Sequence, residues 1–387
     1  VSKATRKHAD DLRAASKLVV AATKGVTSVV EEMHHTIASG PPILGRPFSP
    51  IVRAVLRLAY EPIRIVTDVV GTSIDVTLRE LGPLLGESTP GAEYDAVLSA
   101  LNGVVGDYLE RTQSPLAIPM TLRAEGAGDK LLVLIHGSAM SDRQWNRRGH
   151  DHGAALARDL GFAPVYVHYN SGRHISTNGR ELAGLLERFV QAWPSNLREI
   201  TLLGFSMGGL VARSACHVAE QENHLWRSKL RRLVCLGSPH HGSPIERGGS
   251  WIHALLDVSA YSAPIAGLAR IRSAGVTDMR FGNVLDEHWD GRDRFALGQD
   301  VRRELPLPEG VDAYAIAGCI AKETTETGRE VEWDGLVSVD SALGRHERRE
   351  MTLAFPGPHQ WVAGGTGHLD LLGSAEVYEK LREWLGG

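Results

Sequence analysis

The stretch Leu202-Leu203-Gly204-Phe205-Ser206-Met207-Gly208-Gly209 places a serine hydroxyl between two glycines, each two residues away. The apolar run Ile200 to Gly204 before it has the texture of a short strand, and the residues from about Met207 onward have helical spacing. A serine at so sharp a strand-to-helix turn is lifted above the sheet edge, and Gly204 and Gly208 stand where a side chain would collide with neighbouring backbone. A bare G-x-S-x-G pattern is common, but a strand before it and a helix after it are the context of a nucleophile elbow.

A serine hydroxyl is a weak nucleophile at neutral pH, so it needs a base to take its proton and a carboxylate to fix the tautomer of that base. In sheets of this kind the chain order is serine, acid, histidine. Asp334, in Trp333-Asp334-Gly335-Leu336-Val337, follows the apolar run Ala313 to Ala317, and His368, in Gly365-Thr366-Gly367-His368-Leu369-Asp370, follows the last such run. Asp340 and Asp370 are alternative acids, and His346 and His359 alternative bases; position after the right strand favours Asp334 and His368. Donors for a developing oxyanion are expected from the backbone N–H of Met207, directly after the nucleophile, and of Ser138, in Ile135-His136-Gly137-Ser138. Gly137 permits close approach there, and His136 is expected to orient this loop rather than to act as base.

Those residues need a scaffold. From about Ser114 short apolar runs alternate with helical stretches, the signature of an α/β fold with a mostly parallel sheet flanked by helices. The runs are 120–123, 131–135, 165–169, 200–204, 233–236, 313–317 and 360–363, with helices expected at 153–160, 178–192, 208–222 and 375–385. The stretch 243–309 breaks this rhythm and is too long for an ordinary loop.

Residues 1–113 read instead as a helical region preceding an α/β domain over 114–387. Leu12, Ala15, Val19, Ala22, Val26, Val29, Met33 and Ile37 recur at steps of three and four, on one face of a helix. Further helical stretches cover about 51–81 and 92–109. Lys3, Arg6, Lys7, Arg13, Lys17 and Lys24 make the start basic, which would suit peripheral contact with an anionic membrane surface. Packing of the apolar face on the rest of the protein is the more ordinary use of such a helix.

The 387 residues, 43% of them hydrophobic, suffice for a large core, and a net charge of -4 gives no basic field for nucleic acid. The three cysteines, Cys216, Cys235 and Cys319, lie in apolar settings without metal-type spacing, which points to free thiols in a reducing, cytoplasmic compartment; a bridge between Cys235 and Cys319 on adjacent strands stays open. No secretory leader and no run of about 18 uncharged apolar residues is evident.

Together, Leu134-Ile135-His136-Gly137, the serine elbow, Leu236-Gly237-Ser238-Pro239-His240-His241-Gly242-Ser243, Asp334-Gly335-Leu336-Val337 and Gly367-His368-Leu369 resemble the α/β-hydrolase lipases and esterases, particularly bacterial lipase-like and inositol-deacylase-like members. The likeness runs from about Pro119 to the C terminus. Leu101-Asn102-Gly103-Val104-Val105-Gly106-Asp107-Tyr108-Leu109 resembles the leading region of bacterial esterases of similar size and brings no chemistry with it. The resemblance implies an α/β-hydrolase fold, a carboxylic-ester or lipid-ester substrate, no cofactor, and a lid formed by the 243–309 insertion, with Trp251, Leu255 and Ile265 lining an acyl pocket. Some bacterial lipases hold calcium partly through an aspartate two residues after the catalytic histidine; Asp370 matches, but Ser374 stands where they carry glutamine, so no metal is expected. An acyltransferase or a lipid deacylase would use the same triad, and a non-catalytic binding protein would have a broken one.

Overall fold

The computed structural model describes residues 92–387 apart from 112, 115, 195, 244–272, 293, 295–299, 301 and 325–329. The chain divides into two compact units, one of Val1–Gly91, Arg111–Leu116 and Gly267–Ile271 and one of Ala92–Glu110, Ala117–Ala266 and Arg272–Gly387. The second is considered below. The expected helices before residue 92, and Trp251, Leu255 and Ile265, lie outside the described residues.

All seven apolar runs are strands of one sheet: β1 (Thr121–Ala124), β2 (Lys130–Ile135), β3 (Ala163–His168), β4 (Glu199–Phe205), β5 (Leu230–Leu236), β6 (Asp312–Cys319) and, last in the chain, β9 (Gln360–Gly364). Their order is β1-β3-β2-β4-β5-β6-β9, and every pairing is parallel except that of β1 with β3. A polar hairpin, β7 (Ala321–Thr324) with β8 (Glu330–Trp333), rises between β6 and Asp334. Only Glu330 to Trp333 alternate polar and apolar, while Ala321 to Thr324 do not, so the pattern marks at most one of its two strands. The amide of Ile320 closes its base on Trp333 O at 2.9 Å.

Five helices of eight or more residues are described: α1 (Ala92–Arg111), α2 (His152–Leu160), α3 (Ile175–Gln191), α4 (Met207–Gln221) and α7 (Ala375–Gly386), with the short α5 (Ala274–Asp278) and α6 (Val339–Ala342) between α4 and α7. Leu132 and Leu134 on β2, Leu203 and Phe205 on β4, and Val234 and Leu236 on β5 share one buried cluster with Leu156 of α2 and Val377, Leu381 and Leu385 of α7. Side chains alternate along a strand, so the buried Val133, Leu202 and Leu233 belong to the opposite face, where α3 and α4 pack together.

Local signals set the ends of these helices. Asp151 accepts the amide of Ala154 at 3.0 Å and caps α2, and Gly161 closes it with φ 71°. Helix α1 occupies the predicted stretch and buries Ala100, Val104 and Leu109. All three cysteines are free, so the Cys235–Cys319 bridge does not form; Cys235 lies opposite Ala315 on β6, four residues before Cys319, and Cys319 is only half-buried.

Three histidines are buried without ion-pair partners strong enough to keep them charged. Burial above all, and then His168, holds His136 down at about 3; burial holds His152 at about 4, and His240 well below the ordinary range. In the unfolded chain each takes up a proton near pH 6.5. Between roughly pH 6.5 and 4 the unfolded state therefore binds more protons, and stability falls as the pH is lowered. Each ring contributes a slope approaching about 1.4 kcal/mol per pH unit. Urea unfolding at pH 7, 6 and 5 should show this decline, and His152→Gln, which has no titrating ring, should make it shallower; an unchanged slope would count against the assignment.

Candidate active site

The turn from β4 into α4 carries Ser206 at φ 54° and ψ -123°, a left-handed conformation unusual for a residue with a side chain. Its amide bonds to Leu236 O at 2.8 Å, and its carbonyl accepts from Gly209 N at 3.1 Å. A Cβ on Gly208 would stand 2.1 Å from Ile135 O and 2.7 Å from His136 O, so the turn presses directly on the end of β2. A Cβ on Gly137 would come within 3.1 Å of Ser206 Cβ, which places the His136-Gly137-Ser138 loop against the serine. Ser206 Oγ is buried and has no hydrogen-bond partner among the described residues.

His368 and Asp334 are brought together. Nδ1 of His368 lies 2.7 Å from Oδ2 of Asp334, with both side chains buried. The carboxylate accepts only, so Nδ1 carries the proton in this pair and Nε2 is the ring nitrogen able to take one up. Oδ1 of Asp334 accepts from the amides of Leu336 at 2.9 Å and Val337 at 2.7 Å, and His368 N donates to Asp334 O at 2.9 Å. The imidazole packs on Phe205, with ring centroids 4.9 Å apart, and its Cε1 lies 3.1 Å from where a Cβ of Gly237 would be. Phe205 directly precedes Ser206, and Gly237 follows the residue that accepts the Ser206 amide. The ring thus sits beside the elbow.

The alternatives lie elsewhere. Asp340 is exposed near Arg345, and Asp370 sits 3.1 Å from Arg148 and 3.8 Å from Arg147, two cations where a metal ligand would need a vacant carboxylate. His346 stacks edge-on against His241. His359 bonds through Nδ1 to Ala313 O at the start of β6, the opposite end of the sheet from Ser206. His136 stacks on Tyr169 at 4.3 Å, its Nδ1 donating to Gly137 O at 2.8 Å and its Nε2 near Tyr169 N, so it orients the loop. Among the described residues no group of three or more histidine, cysteine or acidic side chains is arranged to hold a metal.

Two supports escape motif reading. His152 Nε2 donates to Leu371 O at 2.9 Å, three residues past His368, while its Nδ1 meets His150 Nε2 at 2.9 Å. The loop Ser238–Ser243 is held by a buried charge network: Arg213 of α4 contacts Glu304 at 2.7 Å and His240 at 3.3 Å, and Arg302 contacts His241 at 3.2 Å and Asp300 at 3.0 Å. Burial raises the Glu304 carboxyl, but Arg213 and Arg302 outweigh it and leave Glu304 below the usual range. His240 and His241 stand in a conspicuous sequence motif, but the distant Arg302 and Glu304 that complete the network follow no local pattern.

This sheet order, with a serine elbow after β4 and the acid and histidine on loops after β6 and β9, is an α/β-hydrolase fold. The model of the PGAP1-like alpha/beta domain family matches residues 127–290. Similar solved structures include a mature lipase of Bacillus licheniformis, 17% identical over 68% of this chain and 98% of the lipase (TM-score 0.44). An esterase of Thermogutta terrifontis is 18% identical over 70% of this chain and 94% of its own (TM-score 0.38). A lipase-esterase related protein of Clostridium acetobutylicum is 13% identical over 68% and 98% (TM-score 0.35). No curated protein sequence matches significantly. The chain resembles the bacterial lipases and esterases of the α/β-hydrolase superfamily.

The contact of Gly208 with the end of β2 leaves no space for a methyl group. Gly208→Ala should lower the melting temperature by an amount equivalent to about 3 kcal/mol, the upper part of the overpacking range. Calorimetry of the variant checks this, and a wild-type melting temperature would contradict the close approach.

Proposed function

We propose that the protein is a serine hydrolase that cleaves carboxylic esters through an acyl-serine intermediate, with Ser206 as nucleophile, His368 as base and Asp334 as its orienting acid. The observation that carries this reading is the buried 2.7 Å pair of His368 and Asp334 beside a serine held at φ 54° on a strand-to-helix turn. In the first half-reaction Ser206 Oγ attacks the ester carbonyl while His368 Nε2 takes its proton. The carbonyl electron pair moves to oxygen, where the amides of Ser138 and Met207 receive the charge. Collapse expels the alkoxide, which takes the proton from His368, and leaves the acyl-serine. Water then attacks, gives its proton to His368, and releases the acid as the proton returns to Ser206 Oγ.

Desolvation strengthens such a site, since charge that develops away from water meets fixed dipoles. Ser206 Oγ, buried without a hydrogen-bond partner among the described residues, accords with this scheme, because hydrogen bonds of catalytic groups often tighten only when substrate binds. The substrate class we propose is a small-molecule or lipid ester, with the 243–309 insertion as lid and Trp251, Leu255 and Ile265 along the acyl chain. Three free thiols support a reducing, cytoplasmic setting. The basic start of the chain supports peripheral contact with an anionic membrane surface.

A fluorophosphonate should label one residue, found by mass spectrometry on the peptide containing Ser206, and Ser206→Ala should abolish labelling. Asp334→Asn should lower turnover of a dissolved nitrophenyl ester by about 10³- to 10⁴-fold through the wrong imidazole tautomer. Persistent labelling of Ser206→Ala would remove the nucleophile assignment, and near-normal turnover in Asp334→Asn beside a collapse in Asp340→Asn would move the acid.

A further inference from the structure

The segment Leu101 to Leu109 stands out in the sequence, yet the reaction scheme above gives it no task. In the fold it lies on α1, and its two glycines face the loops that follow β2 and β3. A Cβ on Gly103 would stand 2.6 Å from both Cα and Cβ of Ala139 and 2.9 Å from its amide nitrogen. A Cβ on Gly106 would stand 1.8 Å from Asn170 Oδ1. The helix backbone therefore touches the residue directly after Ser138, with no side chain between them.

Ala139 itself has φ 59°, a conformation that a residue with a Cβ holds only where its surroundings enforce it. Two contacts enforce it here, and two more hold the elements that make them. Gly103 presses on its Cα. Ser171 Oγ, from the loop after β3, accepts the Ala139 amide at 2.9 Å. That second loop is in turn fixed to α1, because Asn170 Nδ2 donates to Gly106 O at 2.9 Å. From the other side Ser273 Oγ donates to Gly103 O at 2.6 Å, which seats the helix against the loops.

We infer that α1 is part of the catalytic apparatus, with Gly103 a positioning residue that sets the direction of the Ser138 amide through the left-handed turn at Ala139. The inference rests on the proposed Ser206 triad and extends it to a helix that the sequence groups with the leading region. Displacing Ala139 by about 1 Å shifts Ser138 with it and tilts the peptide plane between residues 137 and 138, which carries the Ser138 N–H, away from the forming oxyanion, and leaves ground-state contacts of the ester in place.

The test compares wild type, Gly103→Ala, the double variant Gly103→Ala/Ala139→Gly and Ser206→Ala in the full chain. It measures kcat and KM on p-nitrophenyl butyrate, Ki for an alkyl trifluoromethyl ketone, and the melting temperature. The ketone is attacked by Ser206 Oγ, its carbonyl pair moving to oxygen and the serine proton to His368, so its affinity reports oxyanion stabilisation. Gly103→Ala should lower kcat about tenfold to a hundredfold with KM within about twofold, and raise Ki by the same factor. Replacing Ala139 by glycine removes one of the two colliding carbons and the strain at φ 59°, so the double variant should recover most of kcat and Ki. A double variant as slow as the single one counts against the inference. Should Gly103→Ala not fold, Ser273→Ala loosens the same helix without adding volume, and the same split of a few-fold is expected; unchanged kcat and Ki would overturn the inference. Wild-type kcat and Ki in a folded Gly103→Ala with a lowered melting temperature would mean that α1 only packs. A Ser206→Ala variant with wild-type turnover would instead overturn the triad reading, so the two failures are told apart.

Discussion

The backbone contact between the turn at Ser206 and the end of β2 governs how the other parts of the site are placed. A serine at φ 54° is disfavoured by about 1 to 3 kcal/mol, and neighbouring contacts must hold it there. The Ser206 amide is fixed by Leu236 O of β5, while Gly208 brings the start of α4 onto the carbonyls of Ile135 and His136. β2 has β3 on one side and β4 on the other, so the chain reverses its direction across the sheet between β2 and β4. Loops leaving the carboxyl ends of strands diverge at such a point and open a crevice. The proposed nucleophile after β4 and the proposed oxyanion donor after β2 lie on either side of it.

The loop after β5 is stabilised differently. Arg213, Arg302, Glu304 and Asp300 place two cations and two anions in a poorly hydrated region, with His240 and His241 kept neutral among them. Replacing such a network by apolar packing is often harmless to stability, whereas removing one member strands a buried charge at about 3 to 5 kcal/mol. What the network adds is direction. It joins the helix behind Ser206, the Ser238–Ser243 loop and the returning segment at 302–305 through bonds of fixed geometry. Ser243 Oγ bonds Leu336 O and Ser341 Oγ bonds Gly242 O, and both carry that order to the segment that presents Asp334.

The inner strands β2 to β6 were legible because each holds an apolar run bounded by turns, the pattern of strands buried on both faces, whereas β1 and β9 at the sheet edges stay largely accessible and show shorter runs. That Asp334 and His368 meet, beside the turn that carries Ser206, was legible because chain order and strand position restrict a serine, an acid and a histidine far more than residue type does. The β7–β8 hairpin was not, since Ala321 to Thr324 show no alternation and only the four residues Glu330 to Trp333 alternate. His152 was hidden for another reason. Its hydrogen bond to Leu371 O spans 219 positions, and nothing in the residues around either partner announces the other. Helix α1 was found as a helix, but its apolar spacing gave no clue that two of its glycines lie against the loops.

That helix shows why the boundary of a functional site differs from the boundary of its motifs. A motif names atoms that react, whereas rate depends on holding those atoms within a fraction of an ångström. Every acceptor of Asp334 is assigned: one oxygen to His368, the other to two amides, and its carbonyl to the His368 amide. The acid and base thus share both side-chain and backbone bonds and cannot shift independently. In the loop bearing Ser138, His136 Nδ1 donates to Gly137 O, but the amide of Ala139 is bonded outside the segment, to Ser171. Its left-handed residue must be held from outside, and in this fold the contacts that do so come from Gly103 and Ser171, on elements before and after it in the chain.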